Sequence, residues 1–367
     1  MNTKRLILCF LATTILVPVL SAKEVEFFLS DEPVHIRLEA PISQLKKQRG
    51  EDPEWLEGRV AVTDAEGVEQ YLDVKVVARG NFRRKRSSCS FPPYWMNFKK
   101  KQVKGTVFED LDKVKVVAHC RETRKSFEPY IFKEYLAYKT YNLLTDRSFR
   151  VRMVYIDYYD SDRKKKLDTY AAFFIEHVKS FEKRQNVKQV KDRYIFPSTF
   201  DAENLGLAEL FQYMLGNSDF SFFASTDECC HNAKVFAPKD GSGVLMPVPY
   251  DFDMTGLVDA PYAKVNPKIP ISSIRERYYR GMRVSDEAMG KVLARYQEQR
   301  EAIMSLWENA DYLTGKHRAE SLEYMEEFYE TLDDPRAFEI QIRKKMRSMD
   351  KLEEVLESRI SELEDSQ

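Results

Sequence analysis

Apolar positions alternate with polar ones along the first third of the chain and then change to a spacing of three and four. Val25-Glu26-Phe27-Phe28-Leu29 and Val34-His35-Ile36-Arg37-Leu38 flank a Ser30-Asp31-Glu32-Pro33 turn, a pattern that predicts two strands. A short helical insert is expected around Ile42 to Lys47. Val60 to Val62 and Tyr71 to Ala78 read as a hairpin across Ala65-Glu66-Gly67, and Tyr94 to Lys99 and Val114 to Ala118 as further strands. From Phe127 to Leu144 the residues Ile131, Phe132, Tyr135, Leu136, Tyr138 and Leu143 fall on one helical face. Phe149 to Tyr158 and Thr169 to Glu176 then predict two strands around the charged turn Asp160 to Lys166. Leu207 to Leu215 predicts a helix stopped by Gly216; Ala233 to Phe236 and Val244 to Val248 predict strands. The chain from residue 285 onward is almost wholly helical, broken at Asp333-Asp334-Pro335.

The first 22 residues carry a different signal. A basic start (Lys4, Arg5), an apolar run from Leu6 to Leu20 and small Ser21-Ala22 have the order of a secretory signal peptide. The run is short for a bilayer span, which needs about 20 residues, so the processed chain is expected to be exported, soluble and periplasmic or extracellular. The division expected is a signal peptide over 1–22, a β-rich N-terminal lobe over 23–120, an α+β core over 121–284 and a helical region over 285–367. A formal net charge of −1 argues against bulk capture of nucleic acid. The 43% apolar content excludes a disordered chain. Four cysteines follow the apolar start. An oxidising compartment favours disulfides, and Cys89 with Cys120 is the expected pair because adjacent cysteines rarely bridge each other. A zinc site from His119, Cys120, Cys229, Cys230 and His231 is the alternative, although neither cysteine pair has zinc-knuckle spacing.

Candidate chemistry lies on three short segments. Asn217-Ser218-Asp219 follows a helix, His231-Asn232 precedes a strand, and Asp251-Phe252-Asp253 follows one. Alternation in an extended segment would aim positions 251 and 253 the same way. Two carboxylates and the Asn232 amide are hard oxygen donors suited to Mg²⁺ or Ca²⁺, and Asp219 would take a proton from an acceptor hydroxyl. Capping and turn formation are the competing roles for such residues. No phosphate-binding glycine loop, zinc-protease or serine-hydrolase motif is present. The run Arg83-Arg84-Lys85-Arg86 reads either as an anion site or as a solvated turn, and Arg275 to Arg280 either as cations and aromatics that stack on a base or as an amphipathic helix surface.

In order along the chain, R-G-N-F-R-R (Arg79–Arg84), Y-I-F-K-E-Y-L-A-Y-K (Tyr130–Lys139), T-Y-A-A-F-F-I-E-H (Thr169–His177), G-N-S-D-F-S (Gly216–Ser221), H-N-A-K-V (His231–Val235) and P-Y-D-F-D (Pro249–Asp253) resemble the CotH kinase-like family of spore-coat proteins. The resemblance implies an α+β, protein-kinase-like two-lobed fold with a β-rich N-terminal part and a helical C-terminal part. It also implies phosphoryl transfer from ATP to a protein or cell-surface hydroxyl with Mg²⁺ or Mn²⁺. Asp219 would be the base, Asp251 the main metal ligand, and Asn232 and Asp253 its supports. The family's basic residue ahead of the strand matching Tyr94–Phe98 is replaced by Phe91-Pro92-Pro93. Arg79, Arg83, Lys99 and Lys115 are then the candidate phosphate cations, Glu134 a helix partner, and Glu176 a residue beside the nucleotide. A catalytically silent scaffold and a metal-assisted phosphoesterase are the competing functions.

Overall fold

The computed structural model describes residues 25–63, 67–122, 125–224, 229–241 and 243–364; the expected signal peptide lies outside them. In chain order the regular elements are β1 (Val34–Ala40), α1 (Ile42–Leu45), β2 (Leu56–Thr63), β3 (Glu69–Ala78), β4 (Tyr94–Phe98) and β5 (Lys113–Val117). Then come α2 (Glu128–Leu144), β6 (Val151–Asp160), β7 (Lys165–Ile175), α3 (Val178–Gln185), β8 (Val187–Val190), α4 (Ala202–Leu215), β9 (Ala233–Pro238) and β10 (Met246–Pro249). The chain closes with α5 (Asp286–Glu308), α6 (Gly315–Asp333), α7 (Pro335–Gln341) and α8 (Met349–Glu364).

Seven strands form a closed barrel in the order β1-β2-β3-β4-β5-β7-β6. All neighbours are antiparallel except β1 and β6, which run parallel from Val34 beside Val154 to Ala40 beside Asp160. This corrects the fold expected from the family resemblance: a mixed barrel with a helical region stands where two lobes with a separate sheet were anticipated. The physical reason is β6. Pairing with β7 on one side and β1 on the other satisfies both its edges, so the sheet closes and leaves no exposed edge.

The Val25–Leu29 strand is also corrected, to a 3-10 turn over Glu26–Leu29. A strand would send Phe27 and Phe28 to opposite faces; the turn buries both, and Phe27 stacks on Phe108 and Phe174 in the barrel interior. The strand placed at Val244–Val248 begins later, at Met246. The remaining predicted elements form close to their expected positions, and α3 and β8 are additions.

β10, β9 and β8 make a separate three-stranded antiparallel sheet. One core fills the barrel, a second joins α2, α4, α5 and α6 to its outer wall, and a third lies behind the small sheet. Between α2 and α5, Trp307 Nε1 donates to Thr140 Oγ1 at 2.9 Å. Among the described residues no helix is long and apolar enough to cross a membrane.

Candidate functional site

Where the barrel meets the small sheet, Arg79, Arg83, Asp219, Asn232, Asp251 and Asp253 line one cleft of about 310 Å³. The three acidic segments are distant in sequence, and hydrogen bonds bring them together. α4 begins on the Asp201 side chain, which accepts from Asn204 N, and ends on Gly216 in the left-handed region at φ +62°. A Cβ at Gly216 would run into the Tyr324 hydroxyl, and the left-handed backbone there favours glycine. Asn217 then accepts from Asp219 N at 2.8 Å and donates to Gln212. Ser221 pairs with His231 as an isolated bridge, and Tyr250 N donates to Asn232 O, tying Asp219 to the β9–β10 hairpin. Leu257 N donates to Leu215 O, anchoring the turn after Asp253 to the end of α4.

The route by which Asp251 reaches the cleft differs from strand alternation. β10 ends at Pro249, and Asp251 takes φ +66° while its N–H donates to the Tyr138 hydroxyl of α2 at 2.8 Å. Asn232 has φ +51° as well. Two non-glycine residues in this sparsely populated region, at the mouth of one cleft, are held there by surrounding contacts, as functional side chains often are.

Asp219 is the centre of a polar cluster. His231 Nε2 lies 2.8 Å from Asp219 Oδ1, and Asn232 Nδ2 donates to Asp219 Oδ2 at 3.1 Å and to its backbone oxygen at 2.7 Å. Burial pushes the Asp219 carboxyl up, but hydrogen bonds from His231 and Asn232 outweigh it and hold the pKa below the usual value. The bond to Asp219 raises His231 in turn. Deeper in, the buried Arg83 sits 3.8 Å from Asp253 and 3.9 Å from Glu134 of α2, and donates to Ala118 O. Tyr262 donates its hydroxyl to Asp253 at 3.1 Å. Burial and the neighbouring Asp251 push Asp253 up against the pull of Arg83; burial and Asp253 push Glu134 up.

This donor set fits a small hard cation. Among the described residues no three His, Cys, Asp or Glu side chains form a ready-made ligating group. Mg²⁺ does not require one: one or two carboxylates, water and substrate phosphates commonly suffice. Asp251 and Asp253 are close enough for one charge to disfavour the other, and a divalent cation relieves that repulsion. The Asn232 nitrogen is committed to Asp219, which leaves its oxygen as the end a cation would take.

Two expected residues lie elsewhere. Lys99 is exposed on the barrel, 2.7 Å from Asp73. Glu176 is buried and clamps α3 through Arg184 at 2.8 Å, while accepting from Arg150 N. Its neighbour His177 lines a second cleft of about 530 Å³, which shares Arg79, Gly80 and Tyr250 with the first. Lys115 faces that second cleft, and burial, then Arg79, bring its pKa down to about 7.

Of the run from Arg83 to Arg86, Arg83 turns inward while Lys85 and Arg86 are exposed. Arg280 donates to Ser218 O and Phe220 O, bracing the Asp219 loop. The zinc alternative falls because Cys89 is joined to Cys120, and Cys229 to Cys230, the latter against expectation. His119 is instead a buried ring stacked on Tyr170 at 3.7 Å. Sequence reasoning passed over Tyr262 and Tyr138 as site residues and offered His231 as a zinc ligand, not as a partner of Asp219. Only His231 carried a signal, its place beside Asn232.

Comparison with protein-family models and with curated proteins gives no match to this chain.

Proposed function

We propose that this chain is a divalent-metal-dependent phosphotransferase that moves a phosphoryl group from a phosphoanhydride donor, such as a nucleotide, to a hydroxyl on a protein or cell-surface acceptor. The observation that carries this reading is the convergence of Asp219, Asn232, Asp251 and Asp253 on one cleft rimmed by Arg79. Asp251, Asp253 and Asn232 would hold Mg²⁺ or Mn²⁺, which when bound neutralises charge on the donor phosphates. Asp219, exposed enough to meet an acceptor, takes the hydroxyl proton, its carboxylate held ionised until then by His231 at 2.8 Å. Arg83 keeps Asp253 ionisable in a dry setting, and Arg79 faces the donor. The ordered motifs shared with the CotH kinase-like family support the same roles for Asp219 and Asp251. That support is at the level of residues, since the barrel departs from the architecture the resemblance implies. The Cys89–Cys120 disulfide supports export to an oxidising compartment.

Thermal melting with and without millimolar Mn²⁺ tests the site. Wild type is expected to melt several degrees higher with the cation, by linkage, and Asp251→Ala to lose that rise. Intact-mass analysis with Mn²⁺ and a phosphoanhydride is then expected to show phosphoryl increments on wild type that Asp219→Asn lacks. An unshifted wild type, or an equal shift in Asp251→Ala, would overturn the reading and leave a silent binding protein.

A further inference from the structure

The second cleft differs in character from the first. Arg79, Lys179, Lys188, Lys191, Lys234 and the partly charged Lys115 line it, against one carboxylate, Glu182, which pairs with Lys188 at 3.2 Å. It opens into the carboxylate cleft at Arg79, Gly80 and Tyr250. At its other end His177 and Lys179 also line a third cleft of about 210 Å³, where Lys100, Lys113 and Lys183 continue the positive wall beside Asp110 and Asp112. A track of cations therefore runs across the barrel face and finishes at the acidic residues.

Cations already stand against its aromatic rings. Lys113 stands 4.4 Å from the centroid of Trp95, with Lys115 and Arg79 each at 5.7 Å. Lys115 stands 4.3 Å from the centroid of Tyr250, and Lys234 5.9 Å. A base stacking on the same ring face would compete with an ammonium or guanidinium already attracted to it. His177 accepts from Lys179 N through Nδ1 at 3.2 Å, so its neutral ring carries the proton on Nε2, one more donor at the junction of two clefts.

We infer that the donor is a linear chain of phosphates, inorganic polyphosphate, lying along this lysine track with its end at Asp251 and Asp253. The inference rests on the phosphotransferase reading and names its donor. In the step, the acceptor hydroxyl oxygen bonds to the terminal phosphorus as the anhydride P–O bond breaks. The bonding electrons go to the bridging oxygen, which becomes the new end of a chain one phosphate shorter. The hydroxyl proton passes to Asp219 and on to solvent. Such a donor suits a protein outside the cytoplasm, where nucleoside triphosphate is scarce.

Calorimetric titration of the whole chain in Mn²⁺ with medium-chain polyphosphate, tripolyphosphate and ATP separates the donors, and gel analysis follows chain shortening. Polyphosphate is expected to bind at least about tenfold more tightly than ATP, with an affinity that falls steeply with salt as displaced counterions require. Lys115→Gln combined with Lys234→Gln should weaken polyphosphate at least about tenfold while leaving the Mn²⁺-induced rise in melting temperature intact. ATP binding as tightly as polyphosphate, polyphosphate binding indifferent to the double substitution, or a bound chain that is never shortened would each overturn the inference. If ATP alone gives phosphoryl increments, the donor assignment falls and the phosphotransferase reading stands. Loss of the Mn²⁺ response in wild type removes both.

Discussion

Asp253 shows how the site's charge depends on what fills it. Its carboxyl is buried beside Asp251, and these two effects push its pKa up to about 7 despite Arg83. A carboxyl raised above its unfolded value near 4 binds its proton more tightly in the folded state. Its stabilising contribution is complete below pH 4 and is lost as pH rises through about 7. Glu134, raised mainly by burial, acts in the same direction. The metal-free protein is therefore expected to melt at a lower temperature at pH 8 than at pH 6. Mn²⁺ should widen the gap between metal-bound and metal-free curves across that interval, because cation and proton compete for the same oxygens. Asp253→Asn should flatten the metal-free curve; a parallel pair of curves in wild type would show that Asp253 does not meet the cation. At this scale the acids were legible, since a carboxylate inside an apolar, proline-flanked segment needs a partner. The cations were not: Lys99 and Lys115 were equal candidates for the phosphates, yet one pairs with Asp73 and the other faces the second cleft.

Among the elements, the loop between β3 and β4 places the two arginines. Arg79 N donates to Pro93 O at its mouth, and the Cys89–Cys120 bond fastens its far side to the end of β5, with Ser90 N and Phe91 N both donating to Cys120 O. Arg49 adds hydrogen bonds to Arg84 O, Cys89 O and Ser90 O. Closing 31 residues by a disulfide removes chain entropy worth about 3–4 kcal/mol from the unfolded state. Cys89→Ser with Cys120→Ser is expected to lower unfolding free energy by roughly that amount in urea titration, with a weaker Mn²⁺ response as Arg83 loosens from Asp253. An unchanged midpoint would show that Arg49 and the backbone bonds alone hold the loop. The disulfide could be read from the compartment and from the improbability of a vicinal pair, and that argument succeeded for Cys89–Cys120 while missing Cys229–Cys230. Hairpins and long helices were legible because each is a local period. α3 and β8, short and mostly polar at Val178–Val190, carried too few apolar positions to announce themselves.

On the scale of the whole molecule, closure of the barrel was the feature no local pattern held. β6 alternates and pairs with its sequence neighbour β7 as a hairpin should, but its parallel partner β1 lies more than a hundred residues earlier. The C-terminal helices show a similar long reach, now towards the site. Leu356 of α8 is 1% exposed and shares the third core with Phe220, Phe222 and Phe223, which follow Asp219 directly. Glu353 accepts from Ser198 N at 2.8 Å and fixes the helix against the segment before α4. α8 thus backs the loop that carries the proposed base, although it lies in the part of the sequence least suggestive of chemistry. Leu356→Ala leaves a cavity that costs about 2–5 kcal/mol, whereas Val355→Ala, at a position 46% exposed on the same helix, should stay within about 0.5 kcal/mol. Because Leu356 shares a core with the phenylalanines that follow Asp219, Leu356→Ala is expected to lower phosphoryl transfer more than its folded fraction accounts for, with the Mn²⁺ shift through Asp251 preserved. Urea titration paired with intact-mass rates, both variants side by side, checks it. Transfer falling only in proportion to the folded fraction would make α8 a brace for the fold and nothing more.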